Sequence, residues 1–208
     1  MAEMLNTSRR GFLKISAAVG GGLLIGFQLP GCERRIKSAL EPQAPDPARF
    51  KPNAWLRIAS DDTVTVMVGS SEMGQGVMTA IPMLVAEELE ADWSKVRAQQ
   101  APADPAYTNP LIGQQLTGGS TTVRAFWTPV REAGATAREL LIAAAAQTWG
   151  VKEDRCRAEN GVVLHRDSDR RLSYGALADK AATLPVPKAV FLKDPKEFRI
   201  LGKSMARL

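Results

Sequence analysis

Residues 133–149 restrict what this chain can fold into more than any other stretch. Leu140, Leu141 and Ile142 run straight into four consecutive alanines at 143–146, and apolar positions cover most of the helical circumference. A helix of that kind has to be covered on several sides, so other segments must wrap it. The cover on offer is modest: two hairpins and a short helix. The expectation is that the isolated chain leaves part of this helix bare. The bare patch would exceed the roughly 300–600 Å2 of a typical monomer's largest patch and would be closed by further parts of a larger protein. The alternative is that an Ala-rich helix of high propensity packs closely within this body.

The remaining elements follow from periodicity and turn chemistry. Residues 54–58 alternate, Ser60-Asp61-Asp62 turns, and residues 63–68 alternate again, which predicts a β-hairpin. Between Val77 and Glu90, Ile81, Leu84, Val85 and Leu89 recur at helical spacing. Pro82 is tolerated only near a first turn, which puts the start of this helix close to Thr79. Residues 96–100 read as a short strand. Residues 101–119, rich in Pro, Asn and Gly, form a long loop of the functional or disordered kind. The apolar helix is introduced by residues 117–122, with Pro129 a candidate break and Gly150 its C-cap. Asn160-Gly161 is the turn of a second hairpin. Ser173 caps a short helix from Tyr174 to about Ala182, and residues 183–208 hold no long element. The predicted fold class is α+β, hairpins with two main helices in one body over residues 54–208. A linker at 33–53, with Pro42, Pro45, Pro47 and Pro52, precedes it.

Charge and cysteine usage narrow the function classes. Across 208 residues, 27 Lys and Arg face 22 Asp and Glu, a net charge of +5. Residues 1–37 hold six basic and two acidic residues, so +4 of this lies in the leader and the body is nearly neutral. A neutral body argues against a nucleic-acid binder. Two cysteines, Cys32 and Cys156, and the lone His165 form no metal-ligand spacing, so no metal site is expected on this chain's own side chains. A Cys156–His165 catalytic pair would require the accident of a hairpin. Cys156 reads instead as a small buried residue and His165 as a strand-end residue.

Residues 1–32 read as a targeting segment outside the fold. Ser8-Arg9-Arg10-Gly11-Phe12-Leu13-Lys14 resembles a twin-arginine export motif, with Arg9 and Arg10 as its pair. The apolar run at 15–29 is short for a membrane span, which needs about 20 residues, but it suits a signal segment. Leu29-Pro30-Gly31-Cys32 resembles a bacterial lipobox, which would lipidate Cys32 and anchor the protein; cleavage without lipidation is the rival. The implied location is the periplasm. Twin-arginine export carries folded proteins, which suits one that receives a cofactor before crossing.

Two glycine motifs sit ahead of the two main helices. In Glu72-Met73-Gly74-Gln75-Gly76 the glycines let the backbone approach a ligand and take positive φ, and Gln75 offers donors and an acceptor. The helix that follows is expected to aim its free N–H groups at the same place. Thr117-Gly118-Gly119-Ser120-Thr121-Thr122 combines unhindered N–H groups and hydroxyls at a helix start, the ingredients of a phosphate site. There is no GxxxxGK[ST] and no GxGxxG, which excludes the usual nucleotide motifs. Each motif alone could also be an ordinary capped turn. Two in one small body point to a large phosphorylated cofactor.

These motifs, with Leu84-Val85-Ala86-Glu87-Glu88-Leu89, Tyr107-Thr108-Asn109-Pro110, Leu116 to Arg124, Gly134-Ala135-Thr136-Ala137-Arg138, Trp149-Gly150-Val151 and Phe198 to Leu208, resemble the molybdenum hydroxylase (xanthine oxidase) family. Within it they are most similar to the exported branch of isoquinoline 1-oxidoreductase β subunits and membrane-bound aldehyde dehydrogenases. The resemblance runs from about Trp55 to Leu208. It implies part of a molybdopterin-binding domain, with Met73, Gly74, Gln75 and Gly76 facing the pterin and metal, and Gly118, Gly119, Ser120, Thr121 and Thr122 receiving the pterin and its phosphate. It implies molybdopterin with molybdenum, in the cytosine dinucleotide form, a small iron–sulfur subunit, a cytochrome c electron acceptor and a small-molecule substrate. The family reaction hydroxylates an electrophilic carbon with water-derived oxygen, assisted by a base glutamate in a Glu-Gly-Val-Gly-like motif. This chain has no such motif, so no catalytic residue is expected in it and it is expected to be inactive alone. Glu87 and Glu88 read as solvated charges on a helix face. The rival class is a non-catalytic periplasmic lipoprotein or cofactor-binding module.

Overall fold

The structure, a computed structural model, describes residues 54–208 and the backbones of two strands, β1 (Leu13–Ala17) and β2 (Gly22–Phe27). β3 (Ala54–Ala59) and β4 (Val64–Val68) form the expected hairpin, closed by Asp62 at φ 69° and by Thr63 N–H donating to Asp61 Oδ1 at 2.9 Å. β5 (Val96–Gln100) joins β4 in parallel, and α1 (Val77–Leu89) is the crossover between them. The parallel pairing was not foreseen from the sequence, but it follows from the segment lengths, since parallel neighbours need a helical crossover. β1 and β2 extend the sheet antiparallel beyond β3, in the order β1-β2-β3-β4-β5. Part of the apolar run expected to stay outside the fold is thus paired with β3. Arg9, Arg10 and Cys32 lie outside the described residues.

The Asn160-Gly161 turn has the two positive φ angles of its type, 48° and 78°, and joins β6 (Cys156–Glu159) to β7 (Val162–His165). β8 (Arg171–Ser173) completes this second sheet and leads into α3 (Tyr174–Ala182), where Ser173 Oγ accepts from Ala176 N–H at 3.3 Å. The mixed α+β architecture is as expected.

Both main helices depart from expectation at their prolines. α1 starts at Val77 and keeps Pro82 inside, and α2 (Thr122–Trp149) runs 28 residues through Pro129 without a break. Each proline removes one helical hydrogen bond, but burial of Ile81 and Leu84 around the first and of Phe126 and Val130 around the second offsets the loss. α1 and α2 cross closely at Gly134, where an added Cβ would stand 2.5 Å from the Val85 carbonyl oxygen.

The expectation of a bare face on residues 133–149 is not met. Ala133, Ala137, Leu140, Leu141 and Ala144 to Ala146 are all buried. α1 covers one side, α3 and β6 others, and Leu184 and Leu201 of the final segment pack onto the same core. The close-packed alternative holds because alanines let neighbouring elements approach. Among the described residues the exposed large apolar side chains lie elsewhere: Met73, Leu111, Leu116, Val123, Trp127, Phe191 and Leu208.

Glu87 and Glu88 are also not where they were expected. They are 1% and 0% exposed. Glu87 Oε2 accepts from the N–H groups of Arg199 at 3.0 Å, Ile200 at 2.7 Å and Leu201 at 2.9 Å, and Oε1 pairs with Lys193 Nζ at 2.9 Å. Glu88 accepts from Arg131 Nε at 2.8 Å and from Lys193 N–H at 3.1 Å, with Arg138 Nη1 3.6 Å away. Two buried carboxylates thereby clasp the final segment to α1 and α2. Burial pushes the Glu87 carboxyl up, but the Leu201 amide, the Lys193 ammonium and the other amides outweigh it and hold it below the ordinary 4.5.

Candidate cofactor site

The two glycine motifs lie side by side. Ser70 and Ser71, which lead from β4 into the first, are bonded to the second: Ser70 Oγ to Thr122 Oγ1 at 2.8 Å, and Ser71 N–H to Thr117 Oγ1 at 2.7 Å. The 101–119 loop closes the arrangement from behind. Asn109 is buried, donates to Thr121 Oγ1 at 2.9 Å and accepts from Leu111 N–H at 3.0 Å. Gln115 donates to the carbonyl oxygens of Gly69 at 3.1 Å and Pro102 at 3.0 Å. A long loop tied at this many points is an ordered wall. Ser70 and Gln115 were not singled out in the sequence, and Asn109 entered only as part of the Tyr107-Thr108-Asn109-Pro110 motif. A polar side chain repeated between two glycine motifs was the available signal.

The two motifs treat their N–H groups differently. In the first, Glu72 turns back on its own loop, and its carboxylate accepts from Gly74 and Gly76 at 2.8 Å and from Met78 at 3.0 Å. Those amides, Met78 first, hold the Glu72 carboxyl below its ordinary value, and the Arg207 charge adds to the effect. Gln75 is likewise folded inward, accepting from Met73 N–H at 2.6 Å and donating to the Ser71 carbonyl at 2.7 Å. The amides at the start of α1 are therefore largely committed to Glu72, contrary to the expectation that they aim at a ligand. What this loop leaves open is its backbone surface. Nothing lies within 4 Å of a Cβ placed on Gly74, and Met73 stands 70% exposed.

In the second motif the opposite holds. Gly119 and Ser120 both take positive φ, 61° and 52°, which turns successive N–H groups toward one side. Among the described residues the N–H groups of Gly118, Gly119, Ser120, Thr122, Val123 and Arg124 have no partner. The first turn of α2 carries no acid and Thr121 makes no side-chain cap. The hydroxyls of Thr117, Thr121 and Thr122, expected at a ligand, are spent on holding the loops together. An uncapped helix start with open amides beside two αL residues accepts an anion. This donor set fits a phosphate-bearing cofactor without any Lys or Arg clamp. Met73, Leu116, Val123 and Trp127, on the same loops and first turns, add exposed apolar surface of the kind that meets a flat ring system.

Tyr107 lies behind this wall, its ring 4.8 Å from Trp55 and its Cβ within 3.1 Å of where a Gly69 Cβ would be. Its buried hydroxyl has no partner among the described residues, and burial pushes its pKa upward. Cys156 and His165 do meet as register partners across β6 and β7, the hairpin accident considered above. Their side chains turn to other groups: Cys156 Sγ toward the Lys152 carbonyl at 4.0 Å, His165 Nδ1 to Ser168 Oγ at 2.8 Å. Burial also raises the thiol pKa, which disfavours the nucleophilic thiolate.

Comparison with known proteins identifies the family. The family model described as the molybdopterin cofactor-binding domain matches residues 17–200. Isoquinoline 1-oxidoreductase subunit beta of Brevundimonas diminuta is 39% identical over 90% of this chain and 23% of its own length. The membrane-bound aldehyde dehydrogenase (pyrroloquinoline-quinone) of Gluconacetobacter polyoxogenes is 34% identical over 97% of this chain and 26% of its own length. Among solved structures, quinoline 2-oxidoreductase from Pseudomonas putida 86 superposes with a TM-score of 0.48 at 18% identity, over 65% of this chain and 17% of that one. The chain thus spans about a quarter of the length of the curated relatives it matches. It belongs to the molybdopterin cofactor-binding domain family, of the xanthine oxidase type that its motifs resemble.

Proposed function

We propose that the chain is the N-terminal part of the molybdopterin-binding large subunit of an exported oxidoreductase. Its reaction is hydroxylation of an N-heterocycle or aldehyde carbon with oxygen derived from water. The observation that carries this reading is the set of open amides at Gly118–Ser120 and Thr122–Arg124 in a chain of this family. When bound, molybdopterin with molybdenum, in its cytosine dinucleotide form, supplies the oxygen transfer and takes up the reducing equivalents. This chain's residues bind and orient. Gly118, Gly119, Ser120 and the first amides of α2 donate to phosphate oxygens, while Thr121 and Thr122 hold that loop. Met73, Gly74, Gln75 and Gly76 offer a close backbone approach to the pterin side.

The proton removed in hydroxylation needs a base. Glu72, Glu87 and Glu88 are each engaged in several hydrogen bonds within this body, so the base belongs to a part of the subunit that this chain does not contain. The relative at 39% identity favours a heterocycle and the one at 34% an aldehyde. The partners proposed are a small iron–sulfur subunit and a cytochrome c acceptor.

Export by the twin-arginine route, to a periplasmic site anchored at Cys32, completes the proposal. Replacing Arg9 and Arg10 by Lys should keep the protein in the cytoplasm, and Cys32→Ser should release it from the membrane fraction. Unchanged fractionation in either case contradicts that part. Cleavage ahead of Cys32 would remove β1 and β2 and leave β3 at the sheet edge. The enzymatic reading is tested by purifying the whole large subunit with its small partner and measuring molybdenum and the nucleotide freed by acid. Stoichiometric molybdenum with a cytosine nucleotide supports it; a folded complex free of molybdenum indicates the non-catalytic alternative.

A further inference from the structure

The last residues of the chain return to the first glycine loop. Ile200 is buried and Leu201 half-buried, both held through the Glu87 clasp. Beyond them Met205 packs on the core, the Ala206 carbonyl accepts from Trp93 Nε1 at 3.0 Å, and the Leu208 N–H donates to Thr79 Oγ1 at 3.1 Å. Thr79 is in the first turn of α1. Between these two anchors Arg207 is laid against the loop. Its Nη2 would be 3.8 Å from a Cβ on Gly76, and among the described residues, chain neighbours aside, no other group comes within 4 Å of that point.

We propose that residues 193–208 are a strap that fixes the conformation of the Met73–Gly76 loop, with Arg207 as its positioning residue. Glu72 organises that loop by gathering the amides of Gly74, Gly76 and Met78 onto one carboxylate. A carboxylate is held in that role only while it stays charged and stays put. Arg207 supplies the neighbouring positive charge, and the two anchors on either side hold its backbone beside the loop, with the exposed guanidinium next to Gly76. The clasp at Glu87 and Glu88 sets where the strap runs. A perturbation at the tail would thus reach the glycine loop some 120 residues earlier in the chain (Leu208 and Thr79 are 129 apart). The consequence for function, a loop held ready for the pterin side of the cofactor, rests on the proposed function; the strap itself does not.

The test uses the full chain without cofactor, by amide hydrogen exchange and carboxyl titration. Arg207→Gln should speed exchange at Gly74, Gly76 and Met78 about two- to fivefold, the range of an exposed charge interaction, and should raise the Glu72 carboxyl pKa. Exchange at Ile200 and Leu201 should not change. Arg207→Lys should restore both readouts, which a merely space-filling role would not do. Glu87→Gln should speed exchange at Ile200 and Leu201 and at the glycine loop together. Wild-type exchange at the three loop amides in Arg207→Gln would overturn the proposal, as would release of Ile200 and Leu201 in Glu87→Gln with the loop unaffected. Failure of cofactor binding in the whole enzyme, with these results intact, would count against the proposed function and leave the strap standing.

Discussion

Substitution of Glu87 is the sharpest probe of what holds this domain together. The carboxylate is buried and takes three backbone N–H groups and one ammonium, all between 2.7 and 3.0 Å. Breaking a buried ion pair by removing one partner costs about 3–5 kcal/mol. Glu87→Ala does this and orphans the three amides, so the upper half of that range applies. Glu87→Gln is milder. Its remaining oxygen can still face Arg199, Ile200 and Leu201, while its NH2 then faces Lys193 Nζ. Lys193 keeps Glu90 Oε1 at 2.6 Å, so the loss is that of one charged hydrogen bond, about 1.5–3 kcal/mol. For a domain of this size each kcal/mol moves the melting midpoint by roughly 2–4 °C. Glu87→Ala should therefore lower Tm by roughly 8–20 °C and Glu87→Gln by roughly 3–12 °C. Trypsin should cut at Arg199 or Lys203 in the folded variants and spare them in the wild type. A Glu87→Ala midpoint within about 2 °C of wild type, with the tail still protected, would refute the clasp.

Three further outcomes follow from other sites. Because the Glu87 carboxyl is held below 4.5 when folded, its contribution is complete above the unfolded value and is lost as pH falls through the folded one; acid denaturation below about pH 4.5 should be shallower in Glu87→Gln than in wild type. Gly134→Ala should destabilise by about 3 kcal/mol or more, since the new methyl meets the Val85 backbone and α1 must move away; a chemical-denaturation midpoint equal to wild type would mean the helices are not in that contact. Tyr107→Phe removes a buried hydroxyl that has no partner among the described residues, so stability of the isolated chain should hold or rise by up to about 1–3 kcal/mol, and a marked loss would reveal a bond not accounted for.

Local signals in the sequence were sufficient for the hairpins, the Asn160-Gly161 turn, the Ser173 and Gly150 caps and the glycine motifs, because each depends on residues close in the chain. The parallel pairing of β4 and β5 depends on where α1 lands, which no local pattern states. Prolines 82 and 129 were given too much weight, since tertiary burial outweighs one missing hydrogen bond. The misreading of Glu87 and Glu88 has the same origin. Their partners, Arg131, Arg138 and residues 193–201, are more than forty positions away, and two adjacent acids on a helix look like a wet face until that segment is seen lying over them. One clue was present: Glu87 and Glu88 are three and four residues beyond Leu84, on the face that packs inward. At the site, the sequence singled out both glycine loops but not which one keeps its amides free. That difference arises from Glu72 folding back on its own loop.

The central claim is that the open amides at the start of α2, and not those of the first glycine loop, receive the anionic part of the cofactor. Titrating the isotopically labelled chain with pyrophosphate and following each amide by NMR tests it directly. The account predicts shifts at Gly118, Gly119, Ser120, Thr122, Val123 and Arg124, with Gly74, Gly76 and Met78 unmoved because Glu72 already occupies them. Shifts centred on Gly74, Gly76 and Met78, or no shifts at the α2 start at millimolar pyrophosphate, would contradict it.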